Sequence, residues 1–156
     1  MIKLYDKLFP KEPNHKDNKI FQQSILFSWT NSKHFIRDKK YVFGSFLKDT
    51  SKYFSLIDIE KSPIKKALFL SKIFNSIKLL MKFNDVESYG VDDLMPILIY
   101  AAIKSAPCRM YSNAKFMELY KREQKEQYED LDKLLSLCEI LLRMDNSQLI
   151  GITKEE

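Results

Sequence analysis

An all-α fold of about six helices is predicted by two features of this sequence. Only three glycines and five prolines occur in 156 residues, too few for a hairpin-rich sheet. Apolar residues recur at intervals of three and four rather than two, the period of a helix with one buried face. The length suits one domain with a real core, since two domains would each be marginal. We therefore expect a single domain over 1–156, with the core from about 5 to 144 and a tail from 145 to 156.

Taken in order, Tyr5, Leu8, Phe9 and Pro10 anchor an opening segment ahead of the polar, proline-broken KEPNHKDNK. Asp17 or Asn18 can cap a first helix that carries Ile20, Phe21, Ile25, Phe27, Ser28 and Trp29 and ends near Asn31 and Ser32. Trp29 is most simply a core residue. SKHFIRDKKY reads as a connection that tucks Phe35 and Ile36 inward. From Val42, the residues Phe43, Phe46, Leu47, Thr50, Tyr53, Phe54 and Ile57 form a helical stripe. Ser62 and Pro63 are the preferred pair for a helix start, and that helix should reach about Phe83. Ala67, Leu70, Phe74, Ile77, Leu80 and Met81 line its inner face, with Lys65, Lys66, Lys72 and Lys78 outside or at its margins.

NDVESYG then makes a turn in which Gly90 can supply a positive φ. Next comes GVDDLMPILIYAAIKSAP, from Gly90 to Pro107. Asp92 or Asp93 can cap this helix, and Pro96 falls in its first turn, where a missing N–H costs little. Ile97, Leu98, Ile99, Ala101, Ala102 and Ile103 leave almost no polar face, so the helix should be buried between others. On these residues alone, the two aspartates are best read as a cap and a first-turn acid that complements the helix dipole. Ser112 or Asn113 should cap a short helix bearing Ala114, Phe116, Met117 and Tyr120. KREQKEQYED suits either a helix held by i,i+4 pairs or a solvated turn. Leu131, Leu134, Leu135, Cys138, Leu141 and Leu142 make a final amphipathic helix to about Met144. Leu149, Ile150 and Ile152 in the tail either pack back or fray.

Several function classes find no support. Two cysteines and no secretory apolar segment at the start argue for a reducing, cytoplasmic setting. Apolar runs are broken well before bilayer-spanning length. A net charge of +5, carried mostly by scattered lysines, is too diffuse to indicate nucleic acid. His15 and His34 lack partners at ligand spacing, so no metal is expected, and no cofactor motif occurs. Glu87 and Asp92 could pair across their turn, but one short loop supplies no cleft for hydrolysis.

Read together, YDKLFP, KSPIKK, GVDDLMPILIYAAIKSAP and YSN followed by Phe116 resemble the vacuolar protein sorting nine domain. The most specific part is Asp92, Asp93, Pro96, Tyr100, Lys104, Pro107, Ser112 and Asn113 in that order. Met1 precedes a stretch already inside the resemblance, which fits a domain of a longer protein. The resemblance implies a layered helical bundle that acts as a guanine-nucleotide exchange factor for early-endosomal Rab GTPases, with no covalent chemistry of its own. It implies a cytoplasmic protein recruited to endosomal membranes. The Rab would dock in a groove between the helix that opens at the double aspartate and the last helix of the core.

By position, Asp92 resembles the family's acidic finger, which enters the nucleotide site, engages the P-loop lysine and excludes Mg²⁺. Asp93 would cap or orient the turn, and Pro96, Ile97, Tyr100, Tyr128 and Leu131 would contribute to GTPase binding. The wall at the final helix departs from the family pattern. Members usually carry a Gly-Glu turn, a tyrosine and, three residues later, a threonine or serine. With Leu131 aligned, Glu126 and Glu129 hold the last two places, and Tyr128 is out of register by two. A non-catalytic Rab-binding scaffold is thus the alternative. A peripheral membrane contact through the lysines between Ser62 and Lys82 is a further one.

Overall fold

The computed structural model describes residues 9, 11–36, 42–86, 88–122 and 125–150. They form six α-helices: α1 (His15–Leu26), α2 (Phe46–Ile59), α3 (Pro63–Phe83), α4 (Val91–Ser105), α5 (Met110–Tyr120) and α6 (Leu131–Arg143). Short 3-10 turns occupy Ser32–His34, Lys125–Tyr128 and Asn146–Gln148. Among the described residues there is no strand, and no helix is long and apolar enough to cross a membrane. Tyr5, Leu8 and Pro10, Glu87 and Ile152 lie outside the described residues.

The expected all-α bundle of about six helices is what forms, and α4 is its axis, packing against α1, α2, α3 and α6. Leu98, Ala101 and Ala102 are fully enclosed, as an apolar run with almost no polar face requires. The α2 stripe buries Phe46, Thr50, Phe54 and Ile57, with Phe43, Leu47 and Tyr53 packed at its margin. On α3, Ser62 accepts the Lys65 N–H and Pro63 fills the first helical position, so the helix starts where that pair directs.

Four local expectations change. At α1 the cap is Asn14, not Asp17 or Asn18: its side chain accepts the Asp17 N–H at 2.8 Å, and the Asp17 carboxylate accepts the Asn14 N–H at 3.1 Å. Asp17 is thus the far half of a capping box. The helix also stops early, because Thr30 Oγ1 donates to the Phe27 carbonyl at 2.6 Å and the Asn31 N–H turns to His34 Nδ1 at 3.0 Å. This leaves Trp29 out of the core, 49% exposed, with its ring edge-to-face on His34.

Lys66, expected outside or at the margin of α3, is fully buried. Ser112 and Asn113 are not caps but lie inside the first turn of α5, buried. The two corrections have one cause. Lys66 Nζ donates to the Ile57 carbonyl at 2.6 Å and to Asn113 Oδ1 at 2.7 Å, and Asn113 Nδ2 donates to Asp58 Oδ1 at 2.8 Å. Asp58 also accepts the Cys108 N–H at 3.3 Å. Beside this network, Asp17 accepts the Ser112 N–H at 2.8 Å and the Ser112 hydroxyl. A polar core therefore clamps the start of α5 to α1, α2 and α3.

KREQKEQYED is not a continuous helix: α5 ends at Tyr120, and the described part closes through the Lys125–Tyr128 turn. The tail packs back, with Leu149 buried and the Ile150 N–H donating to the His34 carbonyl at 2.8 Å.

Candidate functional site

The start of α4 differs from both capping alternatives. Gly90 is the N-cap, extended at φ −115° and ψ −171°, so no positive φ is needed there. The Asp93 carboxylate reaches back to the Gly90 N–H at 2.9 Å, the third-position half of a capping box. Asp92 sits between them, exposed, and its carboxylate makes no hydrogen bond or ion pair among the described residues. One aspartate is therefore engaged in holding the turn and the other is available.

Because the helix opens at Val91, Pro96 falls in its second turn rather than its first. It has no N–H for the Asp92 carbonyl four residues earlier. That carbonyl lies at the exposed tip, where water can take the missing bond, so the interruption is inexpensive. Pro96 is half-buried, as are Met95 and Ile99. Residues three, four and seven positions after Asp92 fall on its side of the helix. Met95, Pro96 and Ile99 thus form an apolar stripe directly below the carboxylate.

The other residues singled out from the sequence lie deeper. Ile97 is on the opposite side of α4 and fully enclosed. Tyr100 is buried in an aromatic cluster, its ring 5.8 Å from Phe35 and 5.4 Å from Phe43, and burial raises its hydroxyl pKa above the ordinary value. Tyr128 is 2% exposed, and burial and the neighbouring Tyr120 raise its pKa. Leu131 is fully enclosed at the start of α6. The structure brings Asp92, Asp93 and Pro96 to one surface, whereas Ile97, Tyr100, Tyr128 and Leu131 lie beneath it or in the core.

Met95 and Ile99 were missed by reading the sequence. The signal was present as the three, four and seven spacing from Asp92, but an almost wholly apolar helix gives no polar face by which to choose the open side.

Helix α6, which contacts α4, is preceded by an acidic turn that packs on α3. Glu126 and Glu129 are exposed, and Asp132 pairs with Lys121 at 2.6 Å. Asp130 is turned inward, accepting from Ser71 Oγ at 3.3 Å and lying 3.4 Å from Lys133 Nζ. A separate groove of about 710 Å³ lies between the Val42–Phe46 segment and the end of α3, where Phe43, Leu79 and Phe83 line it.

The α4 tip thus presents an exposed carboxylate and a half-buried apolar stripe side by side. The family model for the Vacuolar sorting protein 9 (VPS9) domain matches residues 47–145, from the first turn of α2 to just past α6, and the chain belongs to that family. Its relatives include Vacuolar protein sorting-associated protein 9A of Arabidopsis thaliana, 26% identical over 132 residues, which are 80% of this chain and 25% of that protein. Vacuolar protein sorting-associated protein 9A of Oryza sativa subsp. japonica is 26% identical over 137 residues, 80% of this chain and 28% of that protein. The chain thus spans about a quarter of the length of these relatives.

Proposed function

We propose that this domain is a guanine-nucleotide exchange factor that accelerates GDP release from an early-endosomal Rab-family GTPase, with Asp92 as the acidic finger. The observation that supports it best is the division of labour at the α4 tip: Asp93 is engaged by the Gly90 N–H, while Asp92 is exposed and without a partner among the described residues. In a GTPase, a P-loop lysine and Mg²⁺ stabilise the nucleotide phosphates. A carboxylate that engages the lysine and excludes the metal removes that counter-charge, so GDP leaves faster. Rigid presentation helps, because ordering a mobile side chain on docking costs roughly 0.5–1.5 kcal/mol.

On this reading Met95, Pro96 and Ile99 meet the GTPase beside the finger. Ile97, Tyr100, Tyr128 and Leu131, being buried, serve by holding that face in shape. The protein works in the cytoplasm at endosomal membranes and contributes no covalent chemistry. The deciding experiment is release of fluorescent GDP from a panel of endosomal Rabs, with and without the domain. Failure to accelerate any of them would sink the catalytic reading.

Ile99→Glu tests the stripe. Ile99 is only half-buried, so the fold should survive, while a charge at a desolvated contact should lower kcat/KM for exchange roughly tenfold or more. An unchanged kcat/KM would remove the stripe from the interface.

A second reading rests on Glu126 and Glu129, both exposed just ahead of α6, at a turn that packs on α3. Their charges could permit docking yet disfavour the exchange geometry, leaving a non-catalytic Rab-binding scaffold. Tight Rab binding with an unchanged GDP release rate would establish it.

A further inference from the structure

The segment from Asn18 to Lys48 carries Lys19, Lys33, Arg37, Lys39, Lys40 and Lys48 against one carboxylate, Asp38, an excess equal to the whole chain's +5. Within it, the C-terminal end of α1 displays apolar side chains that are exposed among the described residues. Ile25 is 54% exposed, Leu26 61% and Trp29 49%. Lys19 and Lys33 are exposed on the same segment. Lys104 adds a third ammonium, since its Nζ donates to the Ser28 carbonyl at 2.6 Å. The indole is not loosely attached: it rests on the His34 ring at 5.1 Å, and the Ile150 N–H holds the His34 backbone at 2.8 Å.

We propose that this end of the bundle docks on an anionic lipid bilayer, with Trp29, Ile25 and Leu26 entering the interfacial layer and Lys19, Lys33 and Lys104 meeting acidic headgroups. Tryptophan suits the headgroup depth because one part of its ring system is apolar and its N–H is polar. Lysines at the rim add attraction to a negative leaflet that decays within a Debye length. A flat, deformable surface can accept such exposed apolar residues without a matching cleft.

Helix α3 is the competing lipid face, with no acid in its length and exposed Lys65, Lys72 and Lys78. Its exposed apolar residues are divided, however, into two pairs, Ile64 with Leu68 and Leu79 with Phe83, about 16 Å apart between Leu68 and Leu79. The α1 end gathers three such residues, one a tryptophan, within five positions. The α1 end also leaves the other site open. Lys104 and Asp92 lie at opposite ends of α4, about 18 Å apart along its axis, so a bilayer below Trp29 does not occupy the Asp92 tip.

Trp29 is the chain's one tryptophan, so its emission reports this patch alone. Vesicles of phosphatidylcholine with phosphatidylserine should shift that emission to the blue, brominated lipid should quench it, and pure phosphatidylcholine should do neither. Raising the salt to molar concentration should reverse the shift. Lys19→Glu and Lys33→Glu should each weaken vesicle binding roughly fivefold or more. Leu26→Glu, with Trp29 retained and an unchanged melting curve, should abolish the shift. The proposal is overturned if anionic vesicles leave Trp29 emission unchanged at low salt, or if the protein pellets with vesicles without a shift, which places the lipid on α3. It is equally overturned by a blue shift that grows with protein concentration in the absence of lipid, which makes the patch a contact between copies. Saturation of the patch by an acidic polypeptide more tightly than by vesicles would assign it to a protein partner instead.

Discussion

Asp92→Ala is expected to slow GDP release from the cognate Rab about 100-fold while leaving the domain folded, the scale seen when one oriented charge-stabilising group is removed from a reacting centre. The separation between activity and stability follows from the α4 tip. Asp92 is exposed and holds nothing in place among the described residues, so truncation forfeits only its interaction with the helix dipole. That interaction is worth about 0.3–1 kcal/mol, or no more than about 4 °C in Tm for a domain of this size. Asp93→Ala provides the opposite signature. It removes the bond to the Gly90 N–H, costs about 1 kcal/mol of stability, and should affect exchange less than Asp92→Ala. Fluorescent GDP release and thermal melts on both variants make the comparison. If Asp92→Ala exchanges at the wild-type rate, the finger is not Asp92.

The largest effect on stability is expected from Lys66→Met. The thioether fills much of the same space but leaves the Ile57 carbonyl and Asn113 Oδ1 without their donor. Breaking one side of a buried polar cluster costs roughly 2–4 kcal/mol, which for this size of domain lowers Tm by about 5–15 °C. A pH signature separates this from simple cavity formation. Burial lowers the Lys66 ammonium from its ordinary 10.5 to about 8, although Asp58 and Glu60 favour the charge. Between about pH 8 and 10.5 the unfolded chain therefore binds a proton that the folded protein has released. This group's contribution makes stability rise with pH across that window, with a slope approaching 1.4 kcal/mol per unit at most, about the limit for one proton. Below pH 8 both states are protonated and the slope vanishes. Denaturant titrations of the two proteins from pH 7 to 10 should show this rise in the wild type and its loss in Lys66→Met. Parallel pH profiles would contradict the assignment.

Reading from sequence succeeded where one residue type leaves one physical option. Ser62 followed by Pro63 fixed the start of α3, and the apolar run from Ile97 to Ile103 fixed α4 as the buried axis. Ordered motifs brought out the family, because they constrain several elements together. Errors arose where a side chain had two plausible partners. Asp17 suits a cap as well as a third-position acid, and only the proximity of Ser112 draws it inward. Trp29 was placed in the core on hydrophobicity, but Thr30 and His34 ended the helix before it could turn inward. That Ile97 and Tyr100 lie beneath the surface carrying Asp92 could not be read from an apolar helix, which does not announce which side faces solvent.

What the sequence by itself determined is the class, the number of helices and the pair of aspartates at the opening of the central one, since periodicity and capping are local properties of the chain. The folded structure resolved which aspartate is free through a local bond, from the Gly90 N–H to Asp93, where the sequence left either aspartate as the cap. It also decided that Lys66, Ser112 and Asn113 belong to a buried polar clamp rather than to the surface or to caps. Their partners lie up to 98 residues away in the chain. Local patterns carry no record of such distant hydrogen bonds, and packing is what brings the donors and acceptors together.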